Sequence, residues 1–297
     1  AVRRKQRAMG SRPKGTLPDA DWTRAYSSFT ARLSAAEFGG FVFDYDGTLC
    51  SADERFDGIR PEIAAHLRRL LSAGAVLGIA TGRGKSVRED LRRKLPTDLW
   101  PAVVVGYYNG GDIATLQDGA RPAAEGPCRL PSELCAALQA DTALARSARL
   151  TVRPLQLTIE AVGSGSAEGL YSLVASIVQL HEGVSLVRSS HSLDVLAPGV
   201  SKLAVIDRVR QALANGGRAS KGILCIGDRG AWPGNDFALL TEGPSLSVDE
   251  VSPAMDTCWN IAPAGYRGVQ ATLSYLTAIT GSSGRFRFET PDLLRGE

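Results

Sequence analysis

Apolar and polar positions along this chain alternate in two different ways. Between about residues 40 and 108, short apolar runs take turns with segments of helical spacing. "FVFDY" is an apolar run closed by the turn chemistry of "DGT", which suits a buried strand. "IRPEIAAHLRRLLSAG" then places Ile63, Leu67, Leu70 and Leu71 on one helical face, with Pro61 suited to the first turn and Gly74 ending it. "AVLGIATGR" reads as a second buried strand. Val87, Leu91 and Leu95 step by four until Pro96, and "AVVVGYYNGG" reads as a third strand. Strand, helix and strand in alternation predict a parallel sheet covered by helices. The same rhythm returns late, with "LDVLAP" and "KGILCIGD" as strands and "SKLAVIDRVRQALANGG" and "YRGVQATLSYLTAIT" as helices.

The middle of the chain differs. "DIATL" is a short strand candidate, and "RLTVRPLQLTIEA" gives two strands around Pro154 in which apolar and polar residues alternate. "GVSLVRS" is a further strand. "LPSELCAALQADTAL" and "SAEGLYSLVASIVQLH" are helical. Alternation of this kind predicts an antiparallel sheet with one exposed face. The fold expected is therefore α/β: a Rossmann-like parallel sheet core over 25–109 and 191–282, with a smaller α/β cap inserted over 110–190. Residues 1–24 read as a basic flexible tail and 283–297 as a C-terminal tail.

Composition adds boundaries to this picture. A chain of 297 residues with 44% hydrophobic and 22% charged residues is that of an ordinary globular protein. No apolar run approaches the ~20 residues of a membrane span, so no membrane partner is expected. The basic opening "AVRRKQRAMGSRPKG" has no apolar segment behind it, and a secretory signal is not expected. The net charge of +3 argues against a dedicated nucleic-acid binder. The five cysteines are scattered, without CxxC spacing, so neither a zinc site nor a disulfide framework is expected, and a reducing cytoplasm is the simpler setting.

Candidate chemistry lies at strand ends. In an open parallel sheet, ligands bind outside the carboxyl ends of the strands. Asp44 stands at such an end, as do Thr81 in "GIATGR" and Asp228 in "CIGD", and Lys202 opens a helix. Asp44, Asp46 and Asp228 can hold a hard cation such as Mg²⁺, which favours oxygen ligands. The cation and Lys202 would offset the repulsion between the carboxylates.

These residues resemble the motifs of the haloacid dehalogenase superfamily of phosphotransferases. "DYDGT" (Asp44, Asp46, Gly47, Thr48) is similar to the first motif, Thr81 in "ATGR" to the second, Lys202 in "GVSK" to the third, and "GDRGAWPGND" (Asp228, Asn235, Asp236) to the fourth. The place of the insertion resembles the α/β-capped branch that includes sucrose-phosphate and trehalose-phosphate phosphatases and phosphomannomutases. "YYNGG" is similar to that branch's cap entry and "HSLDVLAPGVSK" to its exit.

The resemblance implies a Mg²⁺-dependent phosphatase acting on a small phosphorylated metabolite, a sugar or polyol phosphate as first guess. Asp44 would be the nucleophile that forms an aspartyl-phosphate, and Asp46 the acid and then the base. Thr81 and the backbone at Gly82 would hold phosphate, and Lys202 would neutralise it. Mg²⁺ would bind the side chains of Asp44 and Asp228 and the backbone carbonyl of Asp46, with Asn235 and Asp236 in support. Arg153, Arg188 and His191 are candidate cap contacts, and Arg83 and Arg229 could steer phosphate. A phosphomutase, a nucleic-acid end phosphatase and a non-catalytic phosphate-binding module are the alternatives.

Overall fold

The structure is a computed structural model that describes residues 1–8, 19–51, 53–54, 57–119, 128–163 and 165–289. Its strands, in chain order, begin with β1 (Phe38–Asp44), β2 (Val76–Ala80), β3 (Val103–Tyr107) and β4 (Asp112–Thr115). They continue with β5 (Ala148–Val152), β6 (Gln156–Ala161), β7 (Ser185–Arg188) and β8 (Ser192–Leu196). The last four are β9 (Gly222–Arg229), β10 (Ser245–Glu250), β11 (Ile279–Ser282) and β12 (Arg285–Phe288).

The core sheet runs β10-β9-β1-β2-β3-β4, parallel up to β3, with β4 antiparallel at the edge. Every residue of β1 is buried, because helices cover both faces of the sheet. The period of two sorts its side chains. Phe41 and Phe43 join one apolar cluster with Leu67, Leu91 and Leu276, while Val42 joins another with Val205, Val209 and Leu213 of the helix Leu203–Asn215. Each buried Phe contributes about 1.5–3 kcal/mol relative to exposure, so β1 and the carboxylate at its end are held by packing on both sides.

A second, antiparallel sheet of order β5-β6-β8-β7 forms the cap, with the helices Ser132–Ala140 and Ala167–Val178 packed on one face. Two expectations change here. "DIATL" is not a cap strand: Asp112–Thr115 pairs with β3 and closes the core sheet. "LDVLAP" is not a core strand: β8 lies between β6 and β7. It reads as a core strand because all five of its residues are buried, Leu193 and Val195 by the cap helices and Ser192 and Asp194 on the opposite face, which lines the cavity between cap and core. The helix expected from "LPSELCAALQADTAL" is two, broken where the Asp141 carboxylate accepts from the Leu144 amide and caps the second.

The residues expected as tails are also different. Val2–Ala8 is a helix. The Lys5 ammonium is fully buried and donates to the carbonyls of Ser252 (2.8 Å), Ala254 (2.5 Å) and Thr257 (2.7 Å), beneath the Trp259 ring. Three carbonyl acceptors replace its hydration, which a solvated tail would have left in place. The helix Asp19–Ala35 buries Trp22, Phe29 and Leu33. At the other end, β12 pairs with β11 and meets β1 at Phe38.

Candidate active site

The carboxyl ends of the parallel strands bring the four expected segments together. Asp44 ends β1, Thr81 follows β2, Asp228 lies near the end of β9, and Lys202 caps the helix Leu203–Asn215. The Lys202 ammonium, almost wholly buried, donates to Asp44 Oδ1 and to Asp236 Oδ1, both at 2.6 Å. Asp236 Oδ2 accepts the backbone N–H groups of Asp228 (3.0 Å) and Arg229 (3.1 Å). Asp236 therefore spends both oxygens on holding Lys202 and the loop after β9. Carboxylate oxygens of Asp44, Asp228 and Asp236 lie within 4.8 Å of one another.

The turn after Asp44 is closed by the Gly47 N–H to the Cys50 carbonyl (2.7 Å) and by the Leu49 and Cys50 N–H groups to the Tyr45 carbonyl. Gly47 has φ of +85°, and a Cβ there would fall 2.3 Å from Asp228 Oδ2, so this turn needs glycine for conformation and for space. The Tyr45 hydroxyl donates to the buried Asp90 carboxylate at 2.7 Å, which also accepts from the Ile59 N–H at 3.0 Å. That anchor fixes the residue between Asp44 and Asp46. Asp46 is partly exposed and pairs with the Arg83 guanidinium at 3.0 Å. Thr81 Oγ1 accepts from the Arg83 N–H at 3.0 Å, which orders the loop that carries Gly82.

Electrostatics at this rim are those of three buried carboxylates around one buried ammonium. Burial, reinforced by the Asp236 charge, pushes Asp44 up to about 8 even with Lys202 pulling the other way. Burial and then the Asp236 and Asp44 charges raise Asp228 well above the usual carboxylate range. Burial also acts against the Asp236 charge, but Lys202 outweighs it and holds this carboxyl low. Burial opposes the Lys202 charge in turn, and the two aspartates overcome it and raise the ammonium.

Asp44 Oδ2 and Asn235 Oδ1 are buried acceptors without a hydrogen-bond partner. An oxygen-seeking divalent cation fits such a donor set, since it supplies the missing positive charge and a partner for Asp44 Oδ2.

The cap completes the site. A cavity of about 100 Å³ is lined from the core by Asp44, Asp46, Gly82, Arg83, Asp228, Arg229 and Asn235, and from the cap by Thr158, Glu160, Asp194 and the Ser189–Ser192 turn. Asn109, at φ of +56° in the hinge, donates to Gln156 Oε1 (2.9 Å) and Asp194 Oδ2 (3.1 Å). Gln156 Nε2 in turn donates to Asp194 Oδ1 (3.1 Å) and the Gly82 carbonyl (3.3 Å). Burial raises Asp194 to about 6, against the hydrogen bonds from Thr158 and Asn109. Cap and core are also joined through backbone. The Arg188 N–H donates to the Pro233 carbonyl (2.8 Å) and the Asn235 N–H to the Arg188 carbonyl (3.0 Å), while the Arg229 guanidinium reaches Ser190 Oγ at 2.8 Å.

Of the cap contacts expected from sequence, His191 lines the cavity. Arg188 pairs with Glu168 and Glu250 instead, and Arg153 lies over the Tyr108 ring, with neither among the cavity-lining residues. Asn109, Gln156, Thr158, Glu160 and Asp194 were not foreseen. A signal exists for those in the sheet: Gln156, Thr158 and Glu160 alternate along β6, and Thr158 and Glu160 pair in register with Asp194 and Ser192 of β8, which makes one polar stripe.

Residues 41–121 match the sequence model of the haloacid dehalogenase-like hydrolase family. The chain is similar to a solved structure described as a HAD/COF-like hydrolase from Plasmodium vivax, at 15% identity over 84% of this chain and 97% of that one, with a TM-score of 0.57. It is also similar to a HAD subclass IIB sugar phosphatase, at 17% identity over 73% and 94%, with a TM-score of 0.51. A haloacid dehalogenase-like hydrolase from Bacteroides thetaiotaomicron matches at 17% identity over 71% and 88%, with a TM-score of 0.50. At these identities the likeness is one of fold. No curated protein matches the sequence.

Proposed function

We propose that this chain, which carries the haloacid dehalogenase-like fold and that family's sequence signature over residues 41–121, hydrolyses the phosphate monoester of a small, hydroxyl-rich metabolite. The observation that carries the reading is Asp44 Oδ2. It is a buried carboxylate oxygen with no hydrogen-bond partner, on a cavity shared by core and cap, while Lys202 fixes the other oxygen of the same group.

In the first step the Asp44 carboxylate attacks phosphorus, the ester P–O bond breaks, and Asp46 gives its proton to the leaving oxygen. In the second, water attacks the aspartyl-phosphate, Asp46 takes its proton, and the bond from phosphorus to Asp44 breaks to release phosphate. Arg83 now pairs with Asp46. An incoming phosphate competes for that guanidinium, so substrate binding itself frees Asp46 for proton transfer. Phosphate oxygens would be held by Thr81, the Gly82 backbone and Lys202, of which Gly82 lines the cavity.

Mg²⁺ would be held by the side chains of Asp44 and Asp228 and the Asp46 carbonyl, with Asn235 and Asp236 in support, and would neutralise charge on the transferring phosphoryl group. Asp236 lies in the same carboxylate cluster, but both its oxygens are already engaged, which favours the supporting role.

The leaving-group side of the cavity is walled by Thr158, Glu160, Ser189, Ser190, His191, Ser192 and Asp194. Hydroxyls and carboxylates suit a polyol or sugar. Among the described residues no Phe, Tyr or Trp lines this cavity and its one ring is the His191 imidazole, which gives a base little to stack on.

The test is a phosphate-release screen over sugar and polyol phosphates, nucleotides and phosphorylated DNA or RNA ends, with and without Mg²⁺. Release is expected from small sugar or polyol phosphates only with Mg²⁺. Transfer of phosphate between two positions of a sugar without release would replace hydrolysis by a mutase reaction. Turnover of nucleic-acid ends alone would reject the small substrate.

A further inference from the structure

The five cysteines divide into two groups. Cys50, Cys225 and Cys258 are buried in the core. Cys128 and Cys135 are in the cap, both only partly covered, and their sulfur atoms are 3.6 Å apart. Cys135 lies on the helix Ser132–Ala140, and its N–H donates to the Pro131 carbonyl at 3.2 Å. Cys128 stands just before that helix, and the next N–H, that of Arg129, donates to the Pro154 carbonyl at 2.8 Å. Both side chains pack at the edge of the cap's apolar cluster, so each is ordered by neighbours on one side and open on the other.

We propose that Cys128 and Cys135 form an oxidisable dithiol, a modification site for small disulfides, that staples the segment entering the cap to its first helix. The approach needed is small, since a bonded pair lies at about 2.05 Å. The chemistry is thiol–disulfide exchange. One thiolate attacks a sulfur of the small disulfide, that S–S bond breaks, and one small thiol leaves. The second cysteine gives its proton to solvent, and its thiolate attacks the protein-side sulfur of the mixed disulfide, which expels the second small thiol. Two electrons pass from the dithiol to the small disulfide, which is reduced to two thiols. Burial, and then the contact with Cys128, push the Cys135 thiol up to about 11, which disfavours Cys135 as the first attacker.

The staple closes a short loop around the Arg129–Pro154 hydrogen bond, and two residues beyond Pro154 is Gln156, which reaches Asn109 and Asp194. The reaction does not involve the Asp44 rim, so the inference stands independently of the phosphatase reading.

The experiment treats the reduced full chain with glutathione disulfide and maps its tryptic peptides without reduction. Trypsin cuts after Arg129, so Cys128 and Cys135 leave in separate peptides unless bonded. The expected result is one linked pair of peptides, lighter than their sum by two hydrogens, with Cys50, Cys225 and Cys258 still free. The melting temperature should rise by a few degrees and return on addition of dithiothreitol. Cys135→Ser should instead hold a stable glutathione adduct on Cys128, because nothing remains to expel it. Separate adducts on both cysteines of the unsubstituted chain, or two cysteines that stay reduced under excess glutathione disulfide, would overturn the proposal.

Discussion

The rim of the core sheet and the cap wall that faces it hold their polar groups by different means. At the rim, Asp44, Asp228 and Lys202 are buried at the ends of strands or at a helix start, and each is placed by backbone that is packed on both faces. In the cap, Gln156, Thr158, Glu160 and Asp194 project from one face of a four-stranded antiparallel sheet, and Gln156, Thr158 and Asp194 are positioned by hydrogen bonds to one another and to Asn109. The rim concentrates negative charge that Lys202 offsets only in part and that a cation would balance. The wall offers acceptors and hydroxyls that suit a neutral polyol. In such a division the chemistry belongs to the rim and the selection of the leaving group to the wall, and each half can be tested by breaking it alone.

Asp44→Asn keeps the shape of the nucleophile and removes its charge. Phosphate release should fall by about 10⁴-fold or more, with the circular dichroism spectrum unchanged. Activity within tenfold of the parent would move the nucleophile elsewhere. Lys202→Met leaves Asp44 and Asp236 buried without their shared ammonium, and denaturant unfolding should show a loss of about 3–5 kcal/mol. Added Mg²⁺ should restore part of it, a recovery that a purely structural lysine would not show.

For the wall, pH separates Asp194 from the rim. Its folded carboxyl holds a proton up to about pH 6, whereas the unfolded chain releases it near 3.9. The stability this proton brings is present below the unfolded value and is lost as pH rises through the folded one. The stability of Asp194→Asn relative to the parent should therefore improve by about 2 kcal/mol between pH 4 and pH 7, out of ~3 kcal/mol for the full shift, whatever its starting offset. A pH-independent difference would mean that Asp194 is ionised in the fold at little cost.

Mg²⁺ at 100 times its dissociation constant should stabilise the chain by about 2.7 kcal/mol in a thermal-shift titration. Asp228→Asn should lose that shift and Glu160→Gln should keep it. The smallest effect expected is that of Glu160→Gln on turnover. KM for the sugar or polyol phosphate should rise about tenfold, worth ~1.4 kcal/mol, while an aryl phosphate, which has no hydroxyls for the wall to read, should be handled as before. An equal loss on both substrates would assign Glu160 to the rim's chemistry instead.

The two halves also differed in how far they could be read in advance. Asp44, Thr81 and Asp228 were legible because each closes an apolar run, a pattern that burial on both faces of a parallel strand enforces, whereas Lys202 was legible only as the opening of a helix. Arg83 was visible only as a candidate, since its partner Asp46 is 37 residues away. The cap stripe was visible as alternation, but alternation alone assigns the polar face to water. Contact with the core turned that face into a cavity wall, and the same contact made β8 look like a core strand. Lys5 carried no signal at all, because a basic residue among others in a basic segment reads as solvated until three carbonyls are seen around it.

The sequence by itself determined the α/β alternation of the core between about residues 40 and 108 and the polar residues at its strand ends, because periodicity and turn chemistry act over a few residues. Only the tertiary structure decided that Asp236 shares Lys202 with Asp44, that Asn109 joins Gln156 to Asp194, and that Lys5 is an anchor. Those outcomes depend on which carbonyls, amides and carboxylates are left unpaired when distant segments exclude water together.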